Sequence, residues 1–228
     1  MKQIITIQHT QSVHHTNGMV GSWTDWDLTG LGRQQADNIG KKLQSELLEK
    51  HSSASAPKSS AAPASDASDD SARKALVMYS SDLKRAKQTA EIVGKYLGLE
   101  PILKQELRER NLGKCCGKSV QWLKENIEHD EVTVDDRLFS DGESRRDAWN
   151  RLKPCFDSIM EEPAETVIVV SHGDILSSFY AMFLGLQVEQ YDVADMHGYA
   201  GGVSQLMIWD NGKRCIKRLS DMSYVSGN

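Results

Sequence analysis

The chain has 228 residues and 39% hydrophobic side chains, a length that suits one large α/β domain and a composition too apolar for a wholly disordered protein. Its formal net charge of -5 argues against a non-specific nucleic-acid or anionic-membrane surface, yet leaves room for a local cationic pocket that takes a small anion. No run approaches the ~20 apolar residues that a membrane-spanning helix needs.

Met1-Lys2-Gln3 leads straight into Ile4-Ile5-Thr6-Ile7, a run far shorter than a signal-peptide core and the expected first strand. The next helical pattern follows Thr29, a good N-cap, with apolar residues at Ala36, Ile39, Leu43 and Leu47. Residues 51–74 differ in kind. They are built mainly of Ser, Ala, Pro and Asp without a large apolar side chain, and are expected to form a disordered insertion within one domain spanning 1–228. Residues 76–79 form a second expected strand. A helix after Asp82 then places Ala86, Ala90, Val93 and Leu97 on one face, with Gly98 to end it. Residues 101–103 make a weak third strand. From Ser144, the residues Ala148, Trp149, Leu152, Phe156 and Ile159 fall at helical spacing, stopping before Pro163. Residues 166–170 are a fourth strand. Like the first, it shows little apolar–polar alternation, as a strand buried on both faces should. Residues 202–210 and 213–219 flank Asn211-Gly212, a strong hairpin signal. The expected fold is α/β: a three-layer α/β/α sandwich with a mainly parallel central sheet and a C-terminal hairpin at one edge.

Polar clusters follow the four runs: Gln8-His9-Thr10-Gln11-Ser12, Ser80-Ser81-Asp82-Leu83-Lys84-Arg85, Leu107-Arg108-Glu109-Arg110 and Ser171-His172-Gly173-Asp174. The carboxyl ends of parallel strands share one edge, where ligands bind, so residues distant in sequence are expected to converge there. The set suits phosphoryl transfer without a metal or other cofactor. Neutral imidazole is a competent nucleophile near neutral pH, and arginine presents forked donors to phosphate oxygens. His172, at a strand-to-helix junction, adds a donor beside free helix N–H groups. A carboxylate protonates the leaving oxygen and then activates water.

In these motifs the chain resembles the histidine phosphatase superfamily, the branch that includes cofactor-dependent phosphoglycerate mutase. The resemblance runs nearly end to end, outside the Ser/Ala-rich insertion. Gln8-His9-Thr10-Gln11-Ser12 stands for the opening Arg-His-Gly-Glu-Thr. Ser22-Trp23-Thr24-Asp25-Trp26-Asp27-Leu28-Thr29 leads into Gly32 and Gln35-Ala36. The Ser-Asp-Leu-x-Arg-Ala-x-Gln-Thr-Ala block is intact from Ser81 to Ala90. Leu107-Arg108-Glu109 with Gly113 and Gly117, Gly142-Glu143-Ser144 and Ser171-His172-Gly173 complete the set. The resemblance implies His9 as nucleophile, Glu109 as general acid then base, and Arg85 and His172 as phosphate clamps. It also implies Gln8, Ser12, His15, Ser22 and Gly173 as substrate-binding residues, and a small phosphorylated metabolite as the partner, with no nucleic acid and no membrane.

Gln8 replaces the arginine that precedes the family's nucleophile, removing one fixed charge. Loss of a preorganised donor typically costs ~10²–10³ in rate. Three outcomes compete: a pocket rebuilt around Gln8 and His15, a slow enzyme with altered preference, or a degenerate fold that binds phosphate without turnover. Hydrolysis of a phosphomonoester is favoured over a mutase reaction, because mutases carry a longer segment between the acid motif and the later Glu-Ser motif than residues 117–141 provide. His14-His15 beside His9 lacks a zinc-site frame, so no metal is expected. Trp23 and Trp26 read as packing or pocket-wall residues, and Lys84 and Arg108 as solvated. Cys115, Cys116, Cys155 and Cys215 show neither CxxC nor zinc spacing, which points to reduced thiols and a cytoplasmic location. The natural substrate and oligomeric state stay open.

Overall fold

A computed structural model describes residues 1–49 and 76–227. The expected insertion at 51–74 lies outside the described residues.

Six strands form one sheet in the order β3-β2-β4-β1-β5-β6. They are β1 (Lys2–Gln8), β2 (Leu76–Ser81), β3 (Ile102–Lys104), β4 (Thr166–Ser171), β5 (Val203–Ile208) and β6 (Arg214–Asp221). β1, β2, β3 and β4 are mutually parallel, while β5 runs antiparallel to β1, and β6 antiparallel to β5. The mostly parallel sheet and the β5–β6 edge hairpin agree with the sequence expectation.

The unbroken apolar runs have a simple cause. On β1, Ile4 enters one core while Ile5 and Ile7 enter the other; on β4, Val167 and Val169 face one way and Ile168 and Val170 the opposite. A strand covered on both faces needs apolar side chains at odd and even positions alike. The first core is filled by α5 (Arg145–Glu161) and α6 (Gly173–Leu184), the second by α2 (Gly30–Gln44) and α3 (Lys84–Leu97). Two short helices, α1 (His14–Asn17) and α4 (Val120–Asn126), had no counterpart in the sequence reading, being too brief to show a periodicity.

The forecast caps are present. The Thr29 hydroxyl accepts from Gly32 N–H, and Gly98 closes α3 at φ 68°, the left-handed conformation that glycine adopts without steric cost. Ser144 and Asp147 form a reciprocal capping box at the start of α5. Pro154 lies inside α5 without ending it. Its neighbours Leu152, Cys155 and Phe156 are buried, so tertiary packing outweighs the lost backbone hydrogen bond. Ser144→Ala is expected to destabilise the protein by about 1 kcal/mol in a urea titration, with an unchanged m-value.

Candidate active site

The carboxyl ends of β1, β2 and β4 open onto a cavity of about 250 Å³. Its wall includes Gln8, His9, His14, His15, Ser22, Arg85, Glu109 and Gly173. A second, larger hollow of about 610 Å³ lies over α3 and the turn to β3, lined by Arg33, Glu91, Lys95 and Pro101 among others. It holds no imidazole, so size alone does not mark the chemistry.

His9 leaves β1 buried at 3% exposure. Its Nδ1–H donates to the Thr10 carbonyl at 2.9 Å, which leaves a lone pair on Nε2; that nitrogen accepts from Arg85 Nε–H at 3.1 Å. Both bonds demand the same neutral tautomer. Burial first, then the Arg85 charge, hold the imidazole pKa well below the usual 6.5. The ring is thus kept unprotonated with its basic nitrogen beside a guanidinium.

Arg85 stands in the first turn of α3 and is 1% exposed. Its Nη1 donates to the Thr24 carbonyl at 2.8 Å and its Nη2 to the Ser22 carbonyl at 2.9 Å. Burial lowers its pKa to about 10, so it remains cationic at neutral pH. His172 occupies the N-cap position of α6, its ring 5.1 Å from that of His9 between centroids. It is fully buried behind the cavity wall rather than on it, so it backs the nucleophile instead of facing the ligand as the expected clamp. Its Nε2 lies 2.9 Å from Ser81 Oγ, and its Nδ1 has no hydrogen-bond partner among the described residues. Gly173 and Asp174 open α6 at the cavity wall, where the helix has no side-chain cap and its first N–H groups suit an anion.

Glu109 arrives from the loop after β3. Its carboxyl reaches the cavity but is otherwise surrounded by protein, and its Oε1 accepts from Arg110 N–H at 2.9 Å. Desolvation, reinforced by the Asp174 charge, raises its pKa from 4.5 to about 7, against the weaker pull of Arg85 and Arg110. A carboxyl tuned to that range can both give and take a proton near neutral pH.

Of the other expected residues, Gln8 lies on the cavity wall with its side-chain amide beside Gly173 and Gly198. His15 stacks on His9 with an interplanar angle of 6°. Because His15 Nδ1 accepts from Ser12 N–H at 3.2 Å, its Nε2 carries the proton and is a donor. Ser12 is placed differently from the expectation. It is fully buried outside the cavity wall, and its hydroxyl meets His14 Nδ1 at 2.6 Å, so it orients the two histidines and does not face a ligand.

One ring nitrogen from each of His9, His14 and His15 lies within 4.8 Å of the others. The donor set nevertheless fits a metal poorly: His15 Nε2 keeps its proton, and His9 Nε2 already faces the Arg85 cation.

The sequence reading missed four wall residues with polar side chains, His14 (weighed only as a zinc ligand), Arg110, Asp174 and His197, besides Val20, Gly21 and Leu112. Arg110 and Asp174 sat inside the quoted clusters, so their proximity to Glu109 and His172 was the available signal. His197 lies in a loop without periodicity and gave none. Trp23 packs its ring near the guanidiniums of Arg108, 4.8 Å from the ring centroid, and Arg151, 5.6 Å from it. Arg108 is not free in solvent but forked onto Asp82, with both bonds at 2.7 Å.

A sequence model of the histidine phosphatase superfamily (branch 1) matches residues 58–221. The chain belongs to the histidine phosphatase superfamily. The matched span begins after the His9 segment, whereas individual relatives of this superfamily align over most of the chain. A probable phosphoglycerate mutase of Yersinia enterocolitica is 25% identical over 82% of this chain and 76% of its own length. A putative phosphoserine phosphatase 2 of Hydrogenobacter thermophilus is 22% identical over 90% of this chain and 89% of its own. In three dimensions, a phosphoserine phosphatase of Entamoeba histolytica solved with 3-phosphoglyceric acid superimposes with a TM-score of 0.72. That likeness covers 99% of this chain and 100% of the other at 18% identity, and it establishes the shared fold. No helix among the described residues is long and apolar enough to cross a membrane.

Proposed function

We propose that the chain is a phosphatase that hydrolyses a small phosphorylated metabolite in two steps through a phosphohistidine on His9. The observation that carries the reading is the pairing, in one cavity, of an imidazole held neutral with its Nε2 lone pair beside Arg85 and a carboxyl whose pKa is raised. In the first step the His9 Nε2 pair attacks phosphorus, the P–O bond to the leaving group breaks, and protonated Glu109 gives its proton to the departing oxygen. In the second, Glu109, now a carboxylate, takes a proton from water as it attacks phosphorus, and the P–N bond breaks. Arg85, the Nε2–H of His15 and the first N–H groups of α6 hold the phosphoryl oxygens, while His172 sits behind the His9 ring. No step calls for a metal. Among the relatives are both phosphatases and mutases. The cavity favours hydrolysis, because no residue from 117–141 lines it, and Arg146, a candidate for a substrate carboxylate, is occupied by Asp135 and Glu189. Four unpaired thiols accord with a cytoplasmic setting.

Gln8 takes the place of the family's arginine before the nucleophile, so the pocket works with one fixed cation fewer and with the neutral imidazoles of His9, His14 and His15 on its wall. The test is turnover of an aryl phosphate in the presence of a chelator, with acid-labile phosphoprotein followed in parallel. Turnover with a transient phosphoenzyme is expected. A phosphoenzyme that persists until a phosphoglycerate is added means a mutase, and phosphate binding with neither label nor turnover means a binding protein. Gln8→Arg is expected to raise kcat/KM on the aryl phosphate by roughly tenfold, toward the contribution of one preorganised donor. An unchanged or lower rate shows a pocket built around glutamine.

A further inference from the structure

Arg151, in the second turn of α5, lies outside the cavity wall yet collects more of the acid-bearing segment than any other side chain. Its Nη1 donates to the Glu106 carbonyl at 2.8 Å and the Arg108 carbonyl at 3.0 Å, and its Nη2 to the Glu109 carbonyl at 3.1 Å. The same guanidinium forks onto Glu143, with Nε to Oε1 at 2.7 Å and Nη2 to Oε2 at 2.8 Å. Glu143 in turn accepts from Asn111 N–H at 2.8 Å, and its own N–H donates to the Asn111 carbonyl at 2.7 Å. One guanidinium–carboxylate pair thus grips the chain on both sides of Glu109.

We infer that the Arg151–Glu143 pair is a positioning device that aims the Glu109 carboxyl at the oxygen leaving the phosphate. The segment is fixed by side chains rather than by regular structure. Ser22 bonds the Arg110 carbonyl and the Leu112 N–H, and Arg108 and Arg110 pair with Asp82 and Glu131, but Arg151 alone binds the carbonyls of both Arg108 and Glu109. Residues 108–112 contain no helix or strand, and a loop free to move loses aim before it loses contact. Only a guanidinium can serve three carbonyls and a bidentate carboxylate at once, because its donors are fixed in one plane. Trp23 completes the clamp: its Nε1–H donates to the Glu109 carbonyl at 2.6 Å while its ring lies against Arg151. The alternative, a role in stability alone, is open to any half-buried salt bridge, so the discriminating quantity must depend on proton delivery.

That quantity is the leaving group. A poor alkyl leaving group needs a proton in the transition state, whereas 2,4-dinitrophenolate departs without one. The inference rests on Glu109 being the general acid, so Glu109→Gln is the reference. Compared by kcat/KM, which ends at departure of the leaving group and so excludes the shared hydrolysis of the phosphoenzyme, it must lose far more on glycerol phosphate than on 2,4-dinitrophenyl phosphate. If Glu109→Gln slows both esters equally, the acid reading itself fails, and this inference with it. Given the reference pattern, Arg151→Met is expected to lower kcat/KM on glycerol phosphate on the order of 10²-fold, the effect of a misplaced group, while kcat/KM on 2,4-dinitrophenyl phosphate stays within about threefold. Arg151→Lys should recover only part of the loss, and Glu143→Gln should show the same selectivity if Arg151→Met folds poorly by circular dichroism. Equal losses on the two esters in these variants, or no loss on glycerol phosphate, overturn the positioning role and leave Glu109 as the acid.

Discussion

Replacing His9 by alanine is expected to abolish turnover of every phosphomonoester, with kcat falling by at least roughly 10⁴-fold, as when a covalent nucleophile is removed from a group that acts as a unit. Two neighbouring imidazoles are poorly placed to substitute. His172 is fully buried, with Ser81 Oγ at its Nε2. His15 presents a protonated Nε2, which cannot attack phosphorus. The alanine variant should still bind inorganic phosphate through Arg85 and the start of α6, because neither depends on the His9 ring for its geometry. Rapid acid-preserving quench with labelled substrate measures both points. A variant that still accumulates acid-labile phosphoprotein would assign the phosphoryl acceptor to another residue.

Glu109→Gln is expected to slow an alkyl phosphate by ~10²–10⁴-fold and to change the shape of the pH profile. The sign follows from two displaced pKa values. His9 titrates well below 6.5, so the imidazole remains nucleophilic as the pH drops through the range in which an ordinary histidine would protonate. Glu109 must be protonated for the first step, and its pKa is raised to about 7, so kcat/KM should fall as the pH climbs through that value. The wild-type profile is therefore flat into mild acid and descends on the alkaline side. The glutamine variant keeps an uncharged side chain at all pH values and should lose that descent. The substrate's own second ionisation affects both proteins alike and cancels in their ratio. A descent that survives in Glu109→Gln removes Glu109 from the profile.

The fold was legible wherever one physical requirement sufficed to dictate the residue type. Burial on both faces produced the runs in β1 and β4, and one buried stripe produced the spacing of Ala36, Ile39 and Leu43. Caps at Thr29 and Gly98 marked two helix boundaries, whereas the capping box at Ser144 emerged only in the structure. Convergence of His9, Arg85, Glu109 and His172 was legible too, because parallel strands discharge their loops at one edge. What could not be read was the orientation of side chains within that edge. Ser12 carries a hydroxyl beside the nucleophile's position, which suits a ligand contact equally well, yet the turn into α1 directs it at His14. Arg151 falls at an ordinary position of an amphipathic helix, and no spacing rule announces a guanidinium that serves three carbonyls of another segment. Such contacts depend on how α5 lies across the sheet, a tertiary property.

The pairing of β1 also bears on how the chain assembles. Gln3 faces Thr166 on one side and Met207 on the other, so the strand that ends at His9 emerges from the ribosome long before either partner exists. Contacts of such high sequence separation close late and slowly. Until then a bare Ile-Ile-Thr-Ile edge is exposed to foreign strands, and that interval, more than the finished protein, is where aggregation would begin.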